Sequence, residues 1–151
     1  MSLRIIDVTD AAGRVVEPRW LARAEGVHRQ LRPHLPADYA AKMKRVFAGG
    51  GRMAVAAEAG VGNESVLGVA VHRVHENTAE GVKMYVDDLV TDETRRSRGV
   101  GHALMQHLQG MARAAGCAEY TLDSGTHRQQ AHKFYFREGM VITSFHFKKT
   151  L

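Results

Sequence analysis

The chain has 151 residues, 44% hydrophobic and 25% charged, with a formal net charge of +5, a pI near 9.7 and one cysteine. That length suits a single domain with one core, and the composition excludes a largely disordered chain. The lone Cys117 excludes an intramolecular disulfide framework and a cysteine-cluster zinc site, no apolar run approaches bilayer length, and the opening "MSLRIIDVTD" lacks the pattern of a secretory signal. A cytoplasmic location away from membranes is the expectation. The basic balance suits nucleic acid, an acidic surface or a polyanionic small ligand, and does not choose among them.

Residues 3–8 alternate weakly, as an edge strand would. Pro18 stands where a helix tolerates it, at the first turn, and Trp20, Ala24, Val27 and Leu31 then share one helical face. Tyr39, Met43, Val46 and Phe47 mark a second short helix, closed by Gly49. "RMAVAAEA" and "SVLGVAVHRV" read as strands joined by a turn at Gly60–Glu64, and "VKMYVDDLVT" as a third. Leu104, Leu108, Met111 and Ala115 lie along a long helix ending at Gly116. "CAEYTLDS" is a strand, "HRQQAHKFYFRE" a short helix stopped by Gly139, and "MVITSFHFKK" a closing strand with Val141, Thr143, Phe145 and Phe147 on one side. The order β-α-α-β-β-β-α-β-α-β predicts an α/β fold: one mixed sheet, helices on both faces, in a single domain over 1–151.

The stretch "TRRSRGVGHALM" carries the first functional signal. Arg95, Arg96 and Arg98 precede Gly99-Val-Gly101 at the start of the long helix. A helix N-terminus presents unpaired N–H groups and a positive dipole end, glycine lets backbone approach a ligand, and arginine adds donors for phosphate. This is the chemistry of a pyrophosphate cradle. It is not a P-loop, since no Gly-Lys-Ser/Thr follows, and Leu104 stands where the dinucleotide fingerprint has its third glycine. The bland alternative is a strand-to-helix turn with solvated arginines.

Arg96-Ser-Arg-Gly99-Val-Gly101 resembles the Arg/Gln-x-x-Gly-x-Gly/Ala signature of the GNAT superfamily of acyl-CoA-dependent N-acyltransferases. "DLVTDETRRSRGVGHALM" is similar to that family's central strand, loop and cofactor helix, and "AHKFYFREGM" to its late Ala-x-x-Phe/Leu-Tyr block. The resemblance covers nearly the whole chain. It implies acetyl-CoA as acyl donor; no metal is expected, because the helix histidines His102, His107 and His132 have no second ligand at metal spacing. Backbone of Arg96, Ser97, Arg98, Gly99, Val100 and Gly101, with His102 and Ala103, would hold its pyrophosphate. Leu89, Val90 and Thr91 would splay from the neighbouring strand and pair with the pantetheine arm, an N–H near Val90 polarising the thioester carbonyl.

Amine attack on a thioester needs a base for the ammonium proton and an acid for the leaving thiolate. By the resemblance Tyr135 is the acid; read alone, it is as readily a core residue beside Phe134 and Phe136. Asp87 and Asp88 are adjacent carboxylates in an apolar strand, so alternation predicts that they face opposite ways. "YVDDLV" resembles the acidic pair of the polyamine acetyltransferase branch, which makes Asp87 the base and Asp88 a structural or substrate-side partner. Asp123 is a second base candidate or a turn residue before Ser124-Gly125. Arg128 stands where the family often has asparagine, and would meet substrate, cofactor or water. His72 and His75 lie beside a strand and could reach the substrate side, though surface histidines are the commoner case.

The expected acceptor is a primary amine, a small cationic molecule ahead of a protein lysine, with a homodimer possible by family analogy. Two readings of other classes compete: a non-catalytic acyl-CoA-binding module and a nucleic-acid-binding module. The second has no aromatic–basic interleaving or reader motif to support it.

Overall fold

The structure, a computed structural model, describes residues 2–60, 64–96 and 98–151. The expected turn at Gly60–Glu64 falls largely on residues 61–63, and Ser97 is residue 97; both expectations lie outside the described residues. The chain forms two compact units, Met1–Thr121 and Leu122–Leu151.

The first unit is built on a sheet of five strands in the order β1-β2-β3-β4-β5. These are β1 (Ser2–Asp7), β2 (Arg52–Ala59), β3 (Val66–Asn77), β4 (Gly81–Thr91) and β5 (Glu119–Leu122). The first four are antiparallel neighbours. Between β4 and β5 the chain crosses over through helix α3 (Val100–Ala114). The Ala118 amide donates to the Val82 carbonyl and the Thr121 hydroxyl to the Met84 carbonyl. Residue numbers thus rise together along the two strands, which makes the pair parallel and the sheet mixed.

Helices α1 (Pro18–Leu31) and α2 (Tyr39–Ala48) cover one face. Pro18 presets the first turn of α1, and the Asp38 carboxylate caps α2 by accepting from the Ala41 amide at 3.0 Å. Trp20, Leu21, Ala24 and Val27 of α1 pack with Tyr39, Met43 and Phe47 of α2 on Val55, Val69, Val71 and Val90 of the sheet. Gly68, of opposite parity to Val69, faces α3: a Cβ there would lie 2.8 Å from Val100 Cγ1 and 2.9 Å from Leu104 Cδ1. The missing side chain lets the first turn of α3 sit directly on β3. Among the described residues no helix is long and apolar enough to cross a membrane.

The second unit carries α4 (Gln129–Arg137). The predicted closing strand does not form: residues 141–151 are neither helix nor strand, and Phe145 and Phe147 are 84% and 91% exposed. Alternation prepares a segment for a ladder but does not supply the neighbouring backbone that makes it a strand, and the five-stranded sheet does not include this one. His72 also departs from expectation. It is 3% exposed, buried within β3, whereas His75 is at the surface.

Candidate active site

The central irregularity of β4 sits at its two carboxylates. Val71 pairs with Asp88 and His72 with Val86, so Asp87 is an extra residue with nothing opposite. This β-bulge breaks the alternation on which the opposite-faces expectation rests. Both carboxylates therefore meet partners from the α1/α2 face. The Asp88 oxygens are taken by two groups of α1 and its end: Oδ2 lies 2.7 Å from His28 Nε2, and Oδ1 accepts from Arg32 Nε at 2.8 Å. Arg32 Nη2 also donates to the Asp87 carbonyl at 3.2 Å. The Asp87 carboxylate accepts from Arg73 Nε at 3.0 and 3.1 Å, while Arg73 Nη1 reaches the Gly49 carbonyl at the end of α2.

The Asp88 contact continues inward. His28 Nδ1 lies 2.8 Å from the Tyr39 hydroxyl, and His28 and Tyr39 are 1% and 3% exposed. Burial pushes the Tyr39 phenol above its ordinary value, and the carboxylates of Glu25 and Asp88 add to this. It keeps its proton, and Nε2 of His28, 2.7 Å from a carboxylate oxygen that can only accept, carries a ring proton and donates it to Asp88. Burial also pushes the Asp88 carboxyl up, but the hydrogen bonds from His28 and Arg32 outweigh it and hold the group below the usual range. The result is a chain Tyr39–His28–Asp88–Arg32 that ties α1 and α2 to the bulge. Sequence reasoning missed His28, Tyr39, Arg32 and Arg73 as site residues. One signal was present: His28 interrupts the apolar stripe of α1 between Ala24 and Leu31 with a polar group that needs a partner.

Beyond the bulge, Leu89, Val90 and Thr91 pair with Ala70, Val69 and Gly68 of β3. On the other side, the hydrogen bonds to Ala118 and Thr121 fall at Val82 and Met84, so the four-residue β5 stops short of Leu89–Thr91. One edge of this backbone thus runs past the end of β5. The chain then turns through Glu93–Arg95, where the Asp92 carboxylate accepts from the Thr94 amide and the Glu93 amide donates to Gln30 of α1. Arg96 and Arg98 are exposed, and Gly99 enters α3 with φ +76, a left-handed conformation that suits glycine. The Gly99 carbonyl accepts from the Ala103 amide, and the first helical amides, from Val100 and Gly101 onward, point out of the helix end. A glycine entry, exposed guanidiniums and a helix N-terminus make a donor set that fits a pyrophosphate.

Asp123, Arg128 and Tyr135 belong to the second unit. Asp123 pairs with His146 at 3.1 Å on an exposed surface. The Arg128 amide donates to the Gly125 carbonyl at the entry to α4, and Tyr135 lies in the middle of that helix with its ring centroid 5.5 Å from that of Phe134. Burial raises the Tyr135 phenol above its ordinary value, and the positive charge of Arg128 acts against the rise. Among the described residues no three His, Cys, Asp or Glu side chains converge as metal ligands.

A mixed sheet whose central strand breaks at a bulge and feeds a glycine-opened helix defines an acyltransferase-type α/β fold. Residues 19–140 match the acetyltransferase (GNAT) family, and the chain belongs to that family. It is 38% identical over 71 residues, 46% of its own length, to the uncharacterized N-acetyltransferase YhdJ of Bacillus subtilis (strain 168); the match spans half the length of that relative. Solved structures agree along the whole chain. An acetyltransferase of Trypanosoma brucei superposes with a TM-score of 0.75 at 21% identity, covering 99% of this chain and 100% of that one. The aminoglycoside N-acetyltransferase AAC(6')-Iy in complex with CoA gives 0.79 at 17%, covering 99% and 95%. At these identities the likeness shows the fold.

Proposed function

We propose that this protein transfers an acetyl group from acetyl-CoA to a primary amine by direct attack in a ternary complex. The observation that carries the reading is the sequence of features on one strand: paired carboxylates at a bulge, an edge at Leu89–Thr91 extending beyond β5, then the anion cradle of α3. In this reading the amides and guanidiniums from Arg96 to Ala103 hold the pyrophosphate. The backbone of Leu89–Thr91 aligns the pantetheine arm, and the Val90 amide polarises the thioester carbonyl. The amine nitrogen forms a bond to the acetyl carbon, the carbon–sulfur bond breaks, and the electron pair leaves on sulfur. The ammonium proton passes to Asp87 directly or through water, and Tyr135 gives its proton to the thiolate. A carboxylate has about four acceptor sites, so Asp87 retains capacity beyond the bonds from Arg73. Asp123 is the second base candidate.

The acceptor we favour is a small cationic amine, because the carboxylates Asp87 and Asp88 at the bulge suit a cation; a protein lysine is the alternative. A homodimer and a cytoplasmic location belong to the same reading. The test is acetyl-CoA-dependent thiol release against aminoglycosides, polyamines, amino acids and lysine peptides, with Tyr135→Phe and Asp87→Asn alongside. Selective turnover that falls sharply in both variants supports the assignment. No turnover, together with no acetyl-CoA binding by calorimetry, refutes it.

A further inference from the structure

Away from the carboxylate bulge, the first unit contains a cavity of about 310 Å³ at the end of β1 and under the C-terminal half of α3. His72 forms part of its wall. The ring is buried, and neither Nδ1 nor Nε2 has a hydrogen-bond partner, an arrangement that costs free energy unless something supplies one. Every formal charge at the rim is already engaged. Asp7 pairs with His107 at 2.8 Å, and Asp10 accepts from Arg14 Nε at 2.7 Å. Arg52 donates to the carbonyls of Ala11, Phe47 and Gly51. The remaining lining is largely apolar, from Val16, Met53 and Met111.

We infer that this cavity is a second binding site, for a small neutral molecule with an apolar ring and one hydroxyl or amide that hydrogen-bonds the His72 imidazole. A charged ligand would lose its hydration in a largely apolar cavity, where Asp7 and Asp10 are already paired and Arg52 already donates to three carbonyls, and a purely apolar one would leave the imidazole unsatisfied. An apolar cavity of roughly 150 Å³ accommodates benzene, so the space here holds a ring with a polar substituent. The charged or titratable groups whose fields reach His72 are Asp7 from β1, Arg52 from β2, Asp87 from β4 and His107 from α3. Burial keeps the imidazole neutral, with one nitrogen donating and the other accepting.

Benzyl alcohol is the probe, with benzoate and benzylamine as charged counterparts of similar shape. In the wild-type chain, NMR titration with benzyl alcohol should move the His72 ring nitrogens and the Met111 methyl saturably, with a dissociation constant on the order of 1 mM for a ligand of this size. Benzoate and benzylamine should leave them in place, and His72→Phe should weaken binding at least about tenfold. The inference is overturned by unshifted wild-type resonances, by equal binding of the charged analogues, by full affinity in His72→Phe, or by a crystal soak in which water on the imidazole is not displaced.

Discussion

Asp88→Ala tests whether the bulge carboxylate is a fastener. The side chain is 13% exposed and accepts hydrogen bonds from two cationic or polar donors. Its removal leaves the buried Nε2–H of His28 unsatisfied, a cost of about 1–3 kcal/mol. The Arg32 contact is worth less, because that side chain is 42% exposed and its charge is screened. The sum is about 3 kcal/mol, equivalent in a chain of this length to a melting temperature lower by roughly 6–12 °C. Tyr39→Phe removes only the outer hydroxyl and should cost about 1 kcal/mol. Because the two share His28, the double variant should cost less or more than the sum of the singles. The pH dependence follows from the lowered carboxyl. A folded-state value below the unfolded one means that stability is fully present above about pH 4, where the unfolded carboxyl has ionised, and is lost as pH falls through the folded value. Urea denaturation of wild type and Asp88→Ala from pH 7 to pH 3 measures both effects. A penalty below about 1 kcal/mol at neutral pH, well short of the unsatisfied-donor cost, or a gap that does not narrow in acid, would refute the fastening role.

His72 should oppose folding in acid: burial lowers its pKa from 6.5 to about 4, so the unfolded chain takes up the proton first. Wild-type stability should then fall by up to about 3 kcal/mol between pH 6.5 and 4, a slope that denaturation curves of His72→Phe should lack. Gly68→Ala drives a Cβ into Val100 and Leu104, so calorimetry should find acetyl-CoA binding about tenfold weaker, alongside an overpacking cost of roughly 1–3 kcal/mol. Tyr135→Phe should lower kcat about 100-fold with little change in KM. The raised phenol places the wild-type alkaline limb above the ordinary tyrosine value near 10, and a limb near neutrality would remove Tyr135 as the acid.

Much of this was legible in the sequence because it is local. The apolar stripes of α1 and α3, the Pro18 entry and the glycine-opened helix each announce themselves within a turn or two. The bulge did not, because it is a property of pairing: nothing in "YVDDLV" says that Val71 and His72 of another strand will leave Asp87 unopposed. The side chains on the two aspartates lie 14 to 60 residues away, beyond any local pattern. The closing segment failed in the opposite sense. Its alternation was legible, but a strand also needs a neighbour, and sequence periodicity does not record one.

The bulge also works as a phase change along β4. Before it, the buried even-numbered residues Met84 and Val86 lie outside the cluster formed with α1 and α2; after it, even-numbered Val90 lies inside that cluster. The even-numbered positions of the strand thus serve the two helical layers in turn, exchanging them at a single residue. Deleting Asp87 would therefore do more than remove a carboxylate. It would take out the bulge and leave a regular ladder, Val71 against Asp88 and His72 against Val86, with Asp88 still facing His28 and Val90 still in its apolar layer.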